Sequence, residues 1–386
     1  MILTYNIGVC EVRSNYPMVE SLVDIASRVG DVTVFTNEYV YNQFNNSFPD
    51  GVNFVVKNNN VSLKSYLKLL SDHSKKLDVL FVNTVSGSAL DLFAWNRYFR
   101  PECFSIMTIH NINRWFNSTL RILPDGYPLS HLLDAHAKNL LRSGILSRFN
   151  AFNTIFPVLH PYLRKFTVKP LFSFPFMFHK SSIVKPVSSD RVRVVIPGYV
   201  ENVRRDYDIV IKAIEGCYNY HDRLEFFLLG KPKGVYGESI INKAKSLNAS
   251  GFNIHYFDEY IPFDDWKSFM VSADVLLLPI RSVFESVESN EFYGVSKGTG
   301  TVSNAVRYGK PFLIPSSQSV GDELFGMIHA YDSVDDIVSF LSKCVVDKSF
   351  LKVVKRDALS SAKCFDLGFF QDMLNDFLLG GIGEMN

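Results

Sequence analysis

The feature that most constrains this chain is a series of short, nearly unbroken apolar runs set between polar segments of helix length. In the first half they are Ile2–Ile7, Val32–Phe35, Val52–Val56, Val79–Val82, Phe104–Ile109 and Thr154–Val158. In the second half they are Val192–Ile196, Leu224–Leu229, Phe252–Phe257, Val275–Ile280 and Phe312–Ile314. Runs that do not alternate apolar with polar mark strands covered on both faces, as in a parallel sheet. The segments between them carry helical stripes. Tyr207, Val210, Ile211 and Ile214 line one face of 206–217, and Ile337, Phe340, Leu341 and Cys344 line one face of 334–345. Strand and helix in alternation imply right-handed crossovers and a doubly wound sheet. The series restarts near residue 192, after the Phe-rich, Pro-containing stretch Pro170–Pro186, which reads as a linker. The expected fold class is α/β, with two Rossmann-like doubly wound domains facing a central cleft. The expected domains are 1–175 and 191–365, joined by a linker over 176–190. A closing helical segment, 366–386, with the amphipathic stretch Phe369–Leu379, is expected to pack back on the first domain. Ligands of such sheets bind at the C-terminal strand ends.

Composition narrows the function classes. The 386 residues suffice for large cores without staples. Lys and Arg number 40 against 39 Asp and Glu, so the overall charge gives no hold on nucleic acid. The five cysteines (Cys10, Cys103, Cys217, Cys344, Cys364) show neither C-x-x-C nor zinc spacing, which fits a reducing, cytoplasmic setting. The first residues lack the basic start of a signal peptide. No run approaches the ~18 apolar residues of a membrane span. Charge is uneven, however. Between Arg97 and Lys180 there are 11 Lys and Arg against three acids, Glu102, Asp125 and Asp134. A solvated face accounts for this; the sharper reading is a basic patch for an anionic membrane surface or a charged acceptor.

Two loops in the second half carry phosphate-binding chemistry. In Pro197-Gly198-Tyr199-Val200-Glu201-Asn202-Val203-Arg204-Arg205-Asp206 a strand ends at Gly198 and a helix starts near Asp206. A glycine there lets a ligand approach the backbone, and Arg204 and Arg205 precede a helix N-terminus, where arginines fork onto phosphate oxygens. A glycine turn with two surface arginines would read the same way. The second loop, Glu291-Phe292-Tyr293-Gly294-Val295-Ser296-Lys297-Gly298-Thr299-Gly300-Thr301-Val302-Ser303-Asn304, holds three glycines, a lysine and four hydroxyls between Gly294 and Ser303. It enters a short helix ending at Gly309 and leads to the strand Phe312–Ile314, which makes it a candidate phosphate cradle. Neither a P-loop nor a G-x-G-x-x-G fingerprint is present. Two such loops in one domain suggest a diphosphate ligand.

With these motifs in place, the second half resembles the nucleotide-sugar-binding domain of GT-B glycosyltransferases, most closely the glycosyltransferase 4-like group. The resemblance covers roughly residues 190–380 and is architectural before that. It rests on Gly198 with Arg204-Arg205, on Ala273-Asp274-Val275-Leu276-Leu277-Leu278-Pro279, on Glu291 and Gly294, and on Asn304-Ala305-Val306-Arg307-Tyr308-Gly309-Lys310-Pro311. It implies donor-binding roles for Gly198, Arg204, Arg205, Gly230, Glu291, Tyr293, Ser296, Lys297, Gly298, Thr299, Gly300, Thr301 and Asn304. The chain departs from the family where a second glutamate is usual: Asn304 stands there, able to bridge ribose hydroxyls. Tyr199 follows the first-loop glycine directly, where an arginine soon afterwards is usual. The family also places a histidine at a first-domain strand end next to the transferred sugar. His110, in Thr108-Ile109-His110-Asn111, stands at such an end, with Asn111 and Arg114 beside it as acceptor contacts. A strand-capping histidine is the competing account. The turn Ile7-Gly8-Val9 is a further acceptor-side candidate.

The resemblance implies a glycosyltransferase moving a sugar from a nucleotide-diphosphate donor to a hydroxyl of a glycan or lipid-linked acceptor. His110, Arg205 and Lys297 would be catalytic, with charge stabilisation in place of a metal. No metal or other cofactor is expected. His131 and His136 are wrongly spaced for one, and Asp206-Tyr207-Asp208 reads as a helix cap. The expected location is the cytoplasm or the cytoplasmic face of a membrane. The alternatives are a sugar-nucleotide epimerase of the same architecture, using Glu285, Glu288 or Glu291, and a non-catalytic nucleotide-sugar-binding protein.

Overall fold

The computed structural model describes residues 5–44, 51–118, 129–175, 178–180 and 190–384. The chain divides into two compact units. One comprises Met1–Met177, Glu285–Gly298 and Leu367–Asn386; the other comprises Phe178–Phe284 and Thr299–Asp366.

The first unit holds β1 (Tyr5–Glu11), β2 (Gly30–Asn37), β3 (Val52–Lys57), β4 (Val79–Val82), β5 (Phe104–Thr108), β6 (Ala151–Asn153) and β7 (Leu171–Phe172). Every pairing is parallel, in the order β3-β2-β1-β4-β5-β6-β7, so the order reverses between β1 and β4. The reversal leaves a crevice at the strand ends, the usual place for a ligand in such sheets. Helices cover the sheet because its strands are apolar on both sides. Leu80, Val82, Met107, Phe149 and Phe152 are all buried in one core with Trp95 and Phe99. Full burial of such side chains stabilises by ~1.5–3 kcal/mol each. The helix Leu367–Glu384 also belongs to this unit, with the Phe377 ring 5.1 Å from Phe104 and 4.7 Å from Phe172.

The second unit holds β8 (Val192–Pro197), β9 (Leu224–Leu229), β10 (Ile254–His255) and β11 (Val275–Leu277). After these come a two-stranded ribbon, β12 (Val283–Glu285) and β13 (Asn290–Phe292), and then β14 (Phe312–Pro315) and β15 (Ile328–Tyr331). The second sheet runs β10-β9-β8-β11-β14-β15 and reverses between β8 and β11. The helix Tyr207–Gly216 buries Tyr207, Val210, Ile211 and Ile214, the face its sequence stripe marks. The helix Gly300–Tyr308 ends at Gly309, whose φ of 59° suits glycine. Lys310 then turns inward, and its ammonium donates to the carbonyls of Val271 (2.6 Å) and Ala273 (2.7 Å). Burial, more than the nearby Lys355, lowers Lys310 to about 8. The Gly-Lys pair thus closes the ends of two helices.

Three expectations are corrected. Ile7-Gly8-Val9 is no turn: Gly8 lies mid-strand in β1, paired with Thr33 and Leu80. A Cβ at Gly8 would lie 2.6 Å from Leu77 Cδ1, so the glycine makes room for core side chains and offers nothing to an acceptor. Residues 2–4 of the first apolar run lie outside the described residues. The sixth strand is Ala151–Asn153, ahead of Thr154–Val158; Pro157 cannot donate to a ladder and opens a short 3-10 turn. The start of the expected linker, at Leu171–Phe172, is strand β7, because Phe172 and Phe174 stack and Phe174 packs on Phe81. Residues 176–177 and 181–189 of that linker lie outside the described residues. Among the described residues, no helix is long and apolar enough to cross a membrane.

Candidate functional site

In the first unit the strand ends are organised by a buried carboxyl. Glu11, at the end of β1, is fully buried. Its Oε1 accepts from the Arg13 N–H (2.6 Å) and its Oε2 from the Thr84 hydroxyl (2.7 Å). Arg13 donates to the Ser86 carbonyl (2.6 Å) and pairs with Asp91 at 2.9 Å, so the loop after β4 is tied to β1. Asp91 and Ser88 form the capping box of helix Ala89–Tyr98.

Desolvation raises Glu11 to about 7, against the lowering effect of Thr84 and Arg13. Between its ordinary value of 4.5 and about 7, the folded chain keeps a proton that the unfolded chain has lost. Stability contributed by this site therefore falls as pH rises through that window, by up to about 3 kcal/mol at ~1.4 kcal/mol per pH unit. In calorimetry, the melting point of Glu11→Gln relative to wild type should climb between pH 5 and pH 8. A difference that stays flat would mean Glu11 titrates normally.

His110 follows β5. Its Nε2 lies 2.8 Å from the Asn83 carbonyl. Burial, with a smaller push from Lys297, lowers its pKa to about 4 despite that bond. At neutral pH the ring is uncharged, Nε2–H donates to Asn83, and Nδ1 is left as an acceptor. Lys297 reaches the same place, its ammonium donating to Asn111 Oδ1. Lys297 therefore lies in the first unit with His110 and Asn111.

That placement corrects the reading of 291–303 as one phosphate cradle. The segment is divided: Glu285–Gly298 belongs to the first unit, whereas Thr299 onward belongs to the second. Glu291 is buried and its carboxylate is fully used. It accepts from the N–H groups of Asn113 (3.2 Å) and Arg114 (2.7 Å) and from the hydroxyls of Ser289 (3.1 Å) and Ser296 (2.6 Å). Those two N–H groups open the helix Ile112–Phe116, so Glu291 caps it from a remote part of the chain. Ser296 is also committed: it accepts from Phe292 N–H (2.8 Å), and its carbonyl accepts from Ile112 N–H (2.8 Å). Gly298 packs so tightly that a Cβ would lie 2.6 Å from Ile155. Tyr293 is buried beside Lys297. Glu291, Ser296 and Gly298 are thus engaged by packing and hydrogen bonds within the first unit.

Next to His110 is a pocket of about 80 Å³. Sequence reasoning singled out its His110, Asn111 and Arg114, and Glu288 as an epimerase carboxylate, but missed Lys138 and Arg142. Glu288 pairs with Arg142, with Arg114 Nε at 3.5 Å and with Lys138 Nζ at 3.6 Å. Lys138 also pairs with Asp134 at 2.5 Å. Asp134, Lys138 and Arg142 stand four apart on the helix Leu129–Leu146, a legible signal for one charged stripe. Part of the basic excess over 97–180 has a humbler use. Arg100 donates to the carbonyls of Asn96 and Phe99 (both 2.7 Å), and Lys169 to those of Leu146 (2.9 Å) and Phe149 (2.5 Å), so both close helix ends.

In the second unit, Gly198 ends β8 with φ of 104°. A Cβ there would lie 2.1 Å from an Arg205 nitrogen, and one on Gly230 would lie 2.3 Å from the Gly198 carbonyl oxygen. The two glycines let the loops after β8 and β9 close on each other and let the Arg205 guanidinium lie over the turn. Glu201 takes Arg204 Nε at 2.5 Å and Arg205 Nη1 at 3.5 Å. Arg205 Nη1 is buried and has no hydrogen-bond acceptor among the described residues. Asp206 caps the helix Tyr207–Gly216 through the N–H groups of Asp208 and Ile209. Beside it, at the ends of β11, β14 and β15, lies a pocket of about 320 Å³ edged by Asp206, Arg281, Ser316, Ser317 and Asp332. Thr299 caps the helix Gly300–Tyr308, accepting from Thr301 N–H at 3.4 Å. On that helix the Asn304 Oδ1 is buried without a partner among the described residues.

No family model matches this chain, and no curated protein matches it in sequence. Solved structures do match in fold. HepE of Anabaena, in complex with UDP and glucose, superposes with a TM-score of 0.63 at 12% identity, over 97% of this chain and 99% of that one. An Escherichia coli trehalose-6-phosphate protein bound with UDP-2-fluoro glucose gives 0.62 at 9% identity, over 97% and 99%. A Listeria monocytogenes protein assigned as a UDP-N-acetylglucosamine 2-epimerase gives 0.56 at 9%, over 100% and 98%. With the two parallel sheets, these likenesses give the fold class: two Rossmann-like domains of the GT-B type.

Proposed function

We propose that the chain is a metal-independent glycosyltransferase. It would move a sugar from a nucleotide-diphosphate donor to a hydroxyl of a glycan or lipid-linked acceptor, in the cytoplasm or at its membrane face, for a surface polysaccharide or glycoconjugate. The observation that carries this reading is the paired guanidinium at the end of β8. Arg205 lies over Gly198 with a buried Nη1 that has no hydrogen-bond acceptor among the described residues, at the point where the second sheet reverses. The UDP in the Anabaena structure and the UDP-sugar in the E. coli structure support the same chemistry. Arg204 and Arg205 would offset the charge that develops on a departing diphosphate. The start of helix Gly300–Tyr308 would add partial positive charge, and Asn304 Oδ1 would accept from a ribose hydroxyl. His110, neutral at pH 7, would accept from a sugar hydroxyl rather than act as an acid.

The test is release of UDP or GDP from a panel of nucleotide sugars, with an acceptor mixture and EDTA present. Release that depends on donor and acceptor and is indifferent to EDTA is expected. Turnover that needs added divalent metal would remove the metal-independent part of the proposal. Affinity for no nucleotide sugar would remove the whole. Interconversion of a UDP-sugar without UDP release would indicate an epimerase. That reading needs carboxylates free to move protons, whereas Glu291 is saturated by donors and Glu288 is shared among three cations.

A further inference from the structure

We propose that the pocket beside His110 in the first unit binds a phosphoryl group, and that this group is carried by the acceptor; the second half rests on the transferase reading. Arg142 is 3% exposed, yet its Nη1 has no hydrogen-bond acceptor among the described residues. Arg114 Nε is likewise buried without a hydrogen-bond acceptor among the described residues, with Glu288 at 3.5 Å. Buried guanidinium N–H groups without acceptors are rare enough to need a cause. An anion supplied from outside is one that suits their chemistry.

Charge points the same way. Of the charged side chains that line the pocket, Arg114, Lys138 and Arg142 are cationic and Glu288 is anionic, with Asp134 paired to Lys138. Desolvation first, and then Arg114, lower Arg142 to about 10, so the two guanidinium groups repel each other. A tetrahedral oxyanion relieves that repulsion, and guanidinium forks match its oxygens better than they match a neutral sugar. The pocket, at about 80 Å³, has room for roughly two or three waters at ~30 Å³ each, which a phosphoryl group would displace. Trp115 gives it an apolar wall, with the Arg142 guanidinium 5.9 Å from the ring centroid. The His110 Nδ1 adds an acceptor for a hydroxyl on the same ligand.

The phosphate could sit on a soluble sugar or on a lipid, and the experiment separates the two. The full chain is titrated calorimetrically with inorganic phosphate, a hexose 6-phosphate, the same hexose without phosphate, and UDP. It is also sedimented with phosphatidylcholine vesicles with and without phosphatidic acid. The hexose phosphate should bind and the plain hexose should not. Arg142→Gln and the more exposed Lys138→Gln should each weaken phosphate binding about tenfold or more, the loss of one charge-assisted contact. Unchanged melting of Lys138→Gln guards against a folding artefact. Binding in solution without sedimentation assigns a soluble acceptor; sedimentation that needs phosphatidic acid and Lys138 assigns a lipid one. Equal affinity for hexose and hexose phosphate, or variants as tight as wild type, overturns the proposal. Phosphate binding without UDP affinity keeps the pocket and defeats the transferase reading; UDP affinity without phosphate binding does the opposite.

Discussion

A Glu291→Ala variant is expected to melt about 10 °C below wild type, from a loss of ~3–5 kcal/mol when one partner of a buried, charge-assisted cluster is removed. Glu291 is 1% exposed and receives the N–H groups of Asn113 and Arg114 and the hydroxyls of Ser289 and Ser296. Removing the carboxylate strands two backbone donors at the start of helix Ile112–Phe116, where water cannot easily follow. Glu291→Gln should recover only part of the loss, because the amide presents one acceptor oxygen and a nitrogen that faces donors. Thermal unfolding followed by circular dichroism measures both. If Glu291→Ala melts with wild type, the carboxylate does not hold 285–298 in place.

Arg205→Ala should cut turnover by roughly 10²- to 10³-fold, the range for removing one donor aimed at developing negative charge. Its effect on stability should be small. Glu201 keeps Arg204 at 2.5 Å, so the substitution leaves no unpaired buried carboxylate. Gly198→Ala should reproduce much of the kinetic loss without touching a charge. Its φ of 104° disfavours alanine, and the added Cβ would occupy the place of the guanidinium. Steady-state kinetics of the two variants, with melting points as controls, decide the matter. Full turnover in Arg205→Ala would remove Arg205 from the reaction.

The layered fold was legible because it is written locally. The runs Val79–Val82 and Leu224–Leu229 coincide with β4 and β9, and the stripe over 206–217 lies on a helix buried on that face. Pro157 and Gly8 misled for local reasons too: one interrupts a run that looks like strand, and the other resembles a turn while filling a crowded strand. The site was less legible. Glu291 lies 177 and 178 residues from the backbone groups it caps, and Lys297 lies 186 from Asn111. Nothing in their own neighbourhood shows those partners, and a Gly/Ser/Thr-rich stretch looks the same whether it cradles phosphate or fastens to a distant helix. The pocket had a readable clue in Asp134, Lys138 and Arg142. Its depth, which makes Arg142 unusual, emerges only from packing.

Neither unit is one continuous stretch of chain: the first gathers 1–177, 285–298 and 367–386. During synthesis the first sheet can therefore form long before its unit is complete. Until residue 291 leaves the ribosome, the helix Ile112–Phe116 lacks its cap, and until residue 377 follows, Phe104 and Phe172 lack their aromatic cover. Loop closure over such distances is slow compared with forming local helices. A nascent chain of this protein must wait with an unfinished domain, exposed to chaperones and proteases, until the helix Leu367–Glu384 has been made.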